Sequence, residues 1–529
     1  MLNKAAILAG AAAIALTAGS ASSETLRFAF QADVNTLDPH SLNETFTHGF
    51  QGNIYEGLIG RDETLTIQPA LAESWEILEP TRWRFYLREG VTFHNGNPFN
   101  ADDVIFSYER ATSEASDVLT KVAGIEEVIK VDDFTVDFVT TTPNPILTAE
   151  WDTWYIMDQE WAEANGATSV TNVADTNSVN FANLNANGTG PFMVTERLPD
   201  VRTVAVPNPD YWGDVSHNVT EVIYTPIASA PTRIAALLTG EVHLAYPVPL
   251  QDVARVNQND GTEALTGPEL RTIYLGFDQA RDELLYSSVE GVNPFQDVRV
   301  RAAFNHAVNR DAIQQVVMRG ASTPAASMVA PGINGFPANL VPYAYDPDRA
   351  RALLAEAGYP DGFEVKLNCP NDRYVNDEAI CQAVVAMLGQ VGVTVQLQAE
   401  TRSVFFGTIL AQGGYDTSFY MLGWTPGSFD SYNPLYNLIS TRDPDTGRGT
   451  FNSGGYSNPR IDELTGMILT ETDQAARATL IEEAWQILYD DYGYLPLHQQ
   501  ALAWGVSDSI TVVQRADNVF DWTYVQIDG

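Results

Sequence analysis

Short β-rich runs alternate with capped amphipathic helices along almost the whole chain, and this alternation constrains the fold more than any other feature. ETLRFAFQ (24–31) has the pattern of a buried strand. PFNADDVIFSYERA (98–111) begins a helix, because Asn100 can cap it and Asp102 and Asp103 fall in its first turn. This alternation predicts an α/β fold of the mixed α+β kind.

The N-terminus has the pattern of a secretory signal peptide. Lys4 gives a positive start, and residues 5–16 form an apolar run that is too short to span a membrane. We expect cleavage after Ser23, with cleavage after Ala21 as an alternative. No cysteine precedes Cys369, so no thiol near the processing site can carry a lipid. The sequence therefore predicts a periplasmic protein that is not a lipoprotein.

Length and charge limit both the architecture and the partners. A mature chain of about 500 residues is too long for one hydrophobic core, so two or three domains are expected. The formal net charge is −39, whereas binding to phosphate groups requires a positive surface. A nucleic-acid partner is therefore not expected.

The sequence carries no familiar catalytic motif. HExxH, GxSxG, the Walker loop and the pair SxxK and KTG are all absent. The seven histidines are scattered, with no pair at the i,i+3 or i,i+4 spacing of a metal site on a helix. We therefore predict that the protein is not an enzyme and has no catalytic residues, no metal site and no cofactor.

Several segments carry a family resemblance, and they span nearly the whole mature chain. They are IYEGLI (54–59), PALAESWEI (69–77), WRFYLREGVTFHNGNPFNADDVIFSYERA (83–111), NPDYWG (208–213), RIAALLTGEVHLA (233–245), DVRVRAAFNHAVNRDAI (297–313), YDPDRARALLAEAGYPDGF (345–363) and GGYSNPRIDEL (454–464). In this order they resemble the bacterial extracellular solute-binding proteins of the dipeptide, oligopeptide and nickel class, which are the receptors of ABC importers.

The resemblance implies a two-lobed, type II-like periplasmic binding protein with an additional inserted domain. Residues 1–23 are the signal peptide, and lobe I comprises residues 24–55, 190–268 and 497–529. The inserted domain comprises residues 56–189, of which 83–111 are scaffold, and lobe II comprises residues 269–496. The ligand is expected between lobes that close by a hinge. The expected partners are a small ligand and the permease subunits of an ABC transporter, and the receptor is expected to be a monomer.

Arg373 is the first candidate ligand-binding residue. In dipeptide-binding relatives, an arginine that follows the corresponding strand pairs with the terminal carboxylate of the ligand. A guanidinium suits this role because it forms a bidentate, charge-assisted pair with a carboxylate. The alternative is a salt bridge to Asp372, Asp377 or another nearby acid.

A second candidate site is the aromatic loop GWTPGSFDSYNP (423–434). In peptide-binding relatives a tryptophan here is followed three residues later by an aspartate that holds the α-ammonium group of the ligand. Trp424 matches the tryptophan, but Gly427 stands where the aspartate belongs, and the next acid is Asp430. Asp430 either contacts the ligand or caps the following turn, in which case its carboxylate accepts hydrogen bonds from the backbone N–H groups of that turn. Trp424, Thr425 and Tyr432 complete the predicted ligand-binding set, since flat rings with polar tips suit a pocket wall.

Cys369 and Cys381 are the two cysteines of the exported chain. An oxidising compartment allows a disulfide between residues this close in sequence. A bridge also requires Cα atoms within about 7 Å, which a sequence does not give. Both the bridged and the free state stay open.

The predicted cargo is a short peptide. The displaced aspartate weakens this assignment and leaves the receptor role intact. The same receptor role with an oligosaccharide, an opine-like conjugate or a metal chelate is the alternative, and a periplasmic hydrolase on this scaffold is a more remote one.

Overall fold

The computed structural model describes residues 24–113, 115–171, 179–410 and 414–528. The predicted signal peptide, residues 1–23, lies outside the described residues. In the part up to Ala164 the elements are β1 Thr25–Phe30, α1 Thr45–Gln51, β2 Ile59–Arg61, β3 Ile67–Pro69, β4 Ala72–Glu79, β5 Arg82–Leu87, α2 Ala101–Ala111, α3 Leu119–Val122, β6 Ile125–Asp132, β7 Thr135–Thr140, α4 Leu147–Glu150 and α5 Gln159–Ala164.

The next part of the chain completes the sheet of lobe I and then enters lobe II. Its elements are β8 Phe192–Leu198, β9 Arg202–Pro207, β10 Glu221–Pro226, α6 Ala230–Leu238, β11 Leu244–Tyr246, α7 Val253–Asn257, β12 Thr262–Phe277, α8 Val298–Ala307, α9 Arg310–Ala312, β13 Thr323–Pro324 and α10 Pro347–Glu356. The remaining elements are β14 Glu364–Pro370, α11 Asp377–Gly389, β15 Thr394–Glu400, α12 Arg402–Ile409, β16 Phe419–Trp424, α13 Tyr432–Pro434, α14 Pro459–Thr470, α15 Gln474–Asp490, β17 Tyr494–Ser507, β18 Ile510–Thr511 and β19 Gln526–Ile527. The predicted mixture of helices and strands is confirmed.

Eleven strands of the described chain form one continuous sheet, with the main order β15-β14-β16-β12-β17-β11-β1-β10-β9-β8 and β13 on β17. The long strands β12 and β17 pair with each other over most of their length, and they connect the two lobes. Their register shifts between Pro268 and Thr272. On one side of this shift β17 also pairs with β11 of lobe I, and on the other side β12 also pairs with β16 of lobe II.

The inserted domain has its own antiparallel sheet, in the order β4-β5-β7-β6. Helix α2 packs on it and begins at the predicted cap, where the Asn100 side chain accepts a hydrogen bond from the backbone N–H of Asp102. The domain has its own hydrophobic core, which is formed by buried side chains from the segment Leu58 to Ile156. A buried ion pair between Arg110 and Asp38 joins it to lobe I.

The predicted division into lobe I, inserted domain and lobe II stays a prediction. The register shift at 268–272 gives the boundary between the lobes a structural counterpart. Met157, Ala162, Ala167 and Ala182, by contrast, fall in the predicted inserted domain but pack in the core of lobe I. None of the helices in the described chain combines the length and the apolar character that a membrane crossing requires.

Candidate functional site

A cavity of about 710 Å³ lies where lobe I, the inserted domain and lobe II meet. Helix α1 and the turn that follows it line the cavity, and so does the loop after β16. The inserted domain contributes further lining residues, and the C-terminal segment 515–523 lies beside α1. We call this cavity the cleft.

The loop after β16 brings two of the predicted ligand-binding residues to the cleft. Thr425 and Tyr432 line it, and the ring of Tyr432 packs beside Tyr436 at 5.5 Å between centroids. Trp424 lies behind this wall, where its Nε1 donates to Oδ1 of Asn433 at 2.9 Å and its ring packs on Phe451. Trp424 therefore stabilises the loop from behind, whereas Thr425 and Tyr432 form the surface of the cleft.

Two hydroxyl groups of this loop have no hydrogen-bond partner among the described residues. They are Oγ1 of Thr425 and Oγ of Ser428, and both residues line the cleft. A buried hydroxyl without a partner costs about 1–3 kcal/mol, so a ligand that supplies the partner recovers that free energy.

Asp430 does not line the cleft, and its carboxylate has partners within the protein. It is 0% exposed, and it forms a bidentate ion pair with Arg477 of α15, with both N–O distances at 2.8 Å. The side chain of Asn334 donates a further hydrogen bond at 2.7 Å. The backbone N–H of Tyr432 donates to Oδ1 at 2.8 Å, so the capping alternative is present as one part of a larger network. Both carboxylate oxygens therefore have hydrogen-bond partners within the protein, and direct ligand contact by Asp430 stays a prediction.

Arg373 is exposed at the carboxyl end of β14 and does not line the cleft. Its guanidinium lies 5.2 Å from the ring of Tyr374 and forms no ion pair with any acid that the structure describes. Asp377 instead accepts hydrogen bonds from the backbone N–H groups of Arg373 and Tyr374, each at 2.9 Å. The salt-bridge alternative is therefore not realised. Contact with a ligand carboxylate stays a prediction for Arg373.

Cys369 and Cys381 form a disulfide in the structure, with Cα atoms 6.6 Å apart. The bridge ties the end of β14 to α11 and so encloses the loop that carries Arg373. Both cysteines are 0% exposed.

Most charged side chains in the cleft have partners within the protein. Nε of Arg61 lies 2.6 Å from Asp152, and Arg515 lies 2.7 Å from Asp517. The Arg61 guanidinium also lies over the ring of Phe429, at 4.5 Å from the centroid, and so links the inserted domain to the loop of lobe II.

Glu56 is a cleft carboxylate that is held by neutral donors. Thr189, Tyr211 and Trp212 donate to it at 2.8, 3.1 and 2.8 Å. Burial raises the pKa of Glu56 to about 7, although these hydrogen bonds favour the charged form.

Glu150 and Lys121 are different, because neither forms an ion pair with any residue that the structure describes. Both line the cleft from the inserted domain. Burial raises the pKa of Glu150 to about 7, and burial lowers the pKa of Lys121 from its ordinary value. The folded protein therefore destabilises the charged form of each side chain and supplies no ion-pair partner for it.

The sequence did not point to these inserted-domain residues as site residues. The segment 83–111 contributes nothing to the cleft lining, as expected for scaffold, whereas Arg61, Lys121 and Glu150 do contribute. Glu56 lies within IYEGLI, a segment that indicated the family resemblance but was not predicted to bind the ligand. Within the described residues, no group of three or more His, Cys, Asp or Glu side chains is placed to hold a metal ion.

Comparison with known proteins adds a family to this geometry. The sequence profile described as bacterial extracellular solute-binding proteins, family 5 (middle) matches residues 66–445. The glutathione-binding protein GsiB of Shigella dysenteriae serotype 1 is 26% identical over 487 residues, which cover 91% of this chain and 90% of that protein.

Two solved structures resemble the whole fold. The periplasmic binding protein DppA from Helicobacter pylori, in complex with the peptide STSA, is 25% identical, with a TM-score of 0.73 over 96% of this chain and 98% of that one. HbpA2 from Haemophilus parasuis is 24% identical, with a TM-score of 0.81 over 96% of this chain and 100% of that one. These matches confirm the predicted two-lobed, type II fold.

Proposed function

The chain belongs to family 5 of the bacterial extracellular solute-binding proteins, and on that premise we propose that it captures short peptides in the cleft and delivers them to an ABC importer. The observation that carries this proposal is the cleft itself, which is lined by residues of both lobes and the inserted domain, some of them with polar groups that lack partners. Its volume of about 710 Å³ falls in the ordinary range for small-molecule sites.

Peptide cargo agrees with the polar groups that the cleft offers. The hydroxyls of Thr425 and Ser428 can each bond to an amide group of a peptide backbone. Charges of both signs also line the cleft, as a molecule with an amine and a carboxylate requires. The relatives agree with this cargo, since GsiB is named for glutathione binding and DppA was solved with a peptide.

We expect the register shift near Pro268 to serve as the hinge between lobes. Both crossing strands pass through it without interruption, so a small change there rotates one lobe against the other. The contact of Arg61 with Phe429 lies across the cleft and is expected to break when the lobes open.

Peptide binding should raise the stability of the purified protein. A dipeptide or tripeptide at 100 times its Kd should add about 2.7 kcal/mol to the free energy of unfolding. A thermal-shift screen measures this gain, and native mass spectrometry of freshly purified protein identifies cargo that was carried from the cell. Mass spectrometry of the same peptides after incubation should return them intact, because we propose no catalysis.

The same screen distinguishes the other cargo classes. An oligosaccharide, an opine-like conjugate and a nickel chelate serve as the comparison ligands. A clear shift with one of these and none with any peptide would overturn the peptide proposal and leave the receptor role in place.

Export should remove the N-terminal segment. We propose that the secreted protein begins at Glu24 and carries no lipid, because Lys4 and the following apolar run form a signal peptide and no cysteine lies nearby. Intact-mass measurement of protein from the periplasmic fraction tests this start. A mass that includes residues 1–23, or that exceeds the calculated value by an acyl chain, would contradict it.

A further inference from the structure

Glu150 and Lys121 occupy one wall of the cleft, at the ends of two short helices of the inserted domain. Glu150 is the last residue of α4, and Lys121 lies in the last turn of α3. Both line the same cavity as Tyr432 and Thr425 of lobe II. A ligand that fills the cleft therefore lies between these two charges and the loop after β16.

Several other charged groups of the cleft already have partners within the protein. Arg61 is paired with Asp152, and Arg515 is paired with Asp517. Glu44 caps α1, because its carboxylate accepts hydrogen bonds from two backbone N–H groups at 3.1 and 2.8 Å. These groups can shape the cleft without needing a charged ligand.

Glu150 and Lys121 have only neutral partners among the described residues. Nδ2 of Asn144 donates to Glu150 at a long 3.3 Å, and Nζ of Lys121 donates to Oγ1 of Thr153. Burial is the largest influence on both pKa values. Beyond burial, Lys121 lowers the pKa of Glu150, whereas Asp152 and then Glu150 raise the pKa of Lys121. Glu150 and Lys121 nevertheless form no ion pair, so a gap separates an acid from a base on one surface.

We propose that Glu150 binds a primary ammonium group of the cargo and that Lys121 binds a carboxylate of the same molecule. This inference rests on the proposed function and names the chemistry by which the peptide is held. A free amine of the cargo forms a charge-assisted hydrogen bond with Glu150, and a free carboxylate forms one with Lys121. The cost of keeping each charge unpaired is then recovered on binding.

In this assignment the two charged residues that bind the cargo, Glu150 and Lys121, both belong to the inserted domain. In lobe II the carboxylate of Asp430, a candidate for binding the ammonium group, is already paired with Arg477. Lobe II then contributes the hydroxyls of Thr425 and Ser428 and the ring of Tyr432. The amine of the cargo points to the inserted domain, and its middle contacts lobe II.

The test uses calorimetric titration with two probes, a dialanine peptide and reduced glutathione, each also in N-acetylated and C-amidated forms. Glu150→Gln should weaken binding of the unmodified probe by about 30-fold or more. N-acetylation should weaken binding to the wild type by a similar factor, and Glu150→Gln should add little to that loss. Lys121→Met and C-amidation of dialanine should be related in the same way.

Glu127→Gln is the matched control, because Glu127 is an exposed acid on β6 of the same domain and the charge change is identical. It should bind like the wild type. Unchanged binding of the unmodified probe by both Glu150→Gln and Lys121→Met would overturn the assignment and leave the peptide proposal standing. If the wild type binds both probes as tightly when they are blocked as when they are unmodified, the assignment is likewise overturned and the peptide proposal stands. The blocked probes test the wild type directly, so the assignment can be decided even if a variant does not fold.

The two probes also separate two sources of the same chemistry. In dialanine the amine and carboxylate lie at opposite ends, whereas the γ-glutamyl group of glutathione carries both on one carbon. A loss with Glu150→Gln for glutathione alone assigns the pair to an amino-acid head group. A loss for dialanine assigns it to the two ends of a peptide.

Discussion

Arg477→Met is expected to lower the free energy of unfolding by about 3–5 kcal/mol, because it leaves the carboxylate of Asp430 buried without its cation. The two side chains are 0% and 1% exposed and meet through two hydrogen bonds of 2.8 Å. Urea unfolding followed by tryptophan fluorescence measures the loss. Trp485 reports on this region, since its Nε1 donates to Oγ of Ser431 at 3.1 Å.

Two further variants separate the buried pair from a general effect of charge removal. Arg460→Met breaks surface pairs with Glu483 and Glu463 and should cost less than about 1 kcal/mol, because all three side chains are at least 40% exposed. Combining Arg477→Met with Asp430→Asn should recover part of the stability, because both charges leave the interior together while the side-chain oxygen at position 430 still accepts from the backbone N–H of Tyr432. An Arg477→Met variant as stable as Arg460→Met would contradict the role of the buried pair.

The combined variant also tests whether Asp430 contacts the cargo. Asp430 does not line the cleft, so peptide affinity should survive once the loop is stable. A large loss of affinity in the stable double variant would return Asp430 to the binding site.

Replacing both Cys369 and Cys381 by alanine is expected to cost about 3 kcal/mol of stability. The bridge closes a segment with a sequence separation of 12, and a cross-link over a loop of this size restricts the unfolded chain by about that amount. Thermal unfolding of the variant and the wild type measures the difference. A reducing agent added to the unfolded wild type should bring its refolded stability close to that of the variant, and it should leave the variant unchanged.

The disulfide variant should also loosen the loop that carries Arg373. The backbone N–H groups of Arg373 and Tyr374 are held by the carboxylate of Asp377, in the first turn of α11. Without the bridge, α11 is tied to β14 by packing alone, and hydrogen exchange at these two amides should accelerate. Unchanged stability and unchanged exchange would show that packing alone holds α11 in place.

Local features of the fold could be read from the sequence because they depend on neighbouring residues. Asn100 caps α2 as predicted, and Asp297 caps α8 through a hydrogen bond from the backbone N–H of Arg299. Helix α15, Gln474–Asp490, likewise begins after a local cap, because the side chain of Asp473 accepts a hydrogen bond from the backbone N–H of Ala476. Caps and amphipathic periodicity act within one or two turns, so spacing alone reveals them.

The site was harder to predict because its partners are distant in sequence. Arg477, which neutralises Asp430, follows it by 47 residues, and nothing in the spacing of the aromatic loop points to α15. Thr425 and Tyr432 could be placed because they belong to the same loop as Trp424. Lys121 and Glu150 could not be placed, since the cleft joins segments from three parts of the chain.

The position of β17 has a consequence for how the chain folds. This strand lies in the sheet between β12 and β11, so the sheets of the two lobes are joined only after residues 494–507 have been synthesised. Pairings between such distant segments form slowly, because the intervening chain must first be closed into a loop. Until then one edge of β12 is open, and an unpaired edge invites association with other chains. A product truncated before Tyr494 is therefore expected to aggregate, with neither lobe sheet connected to the other.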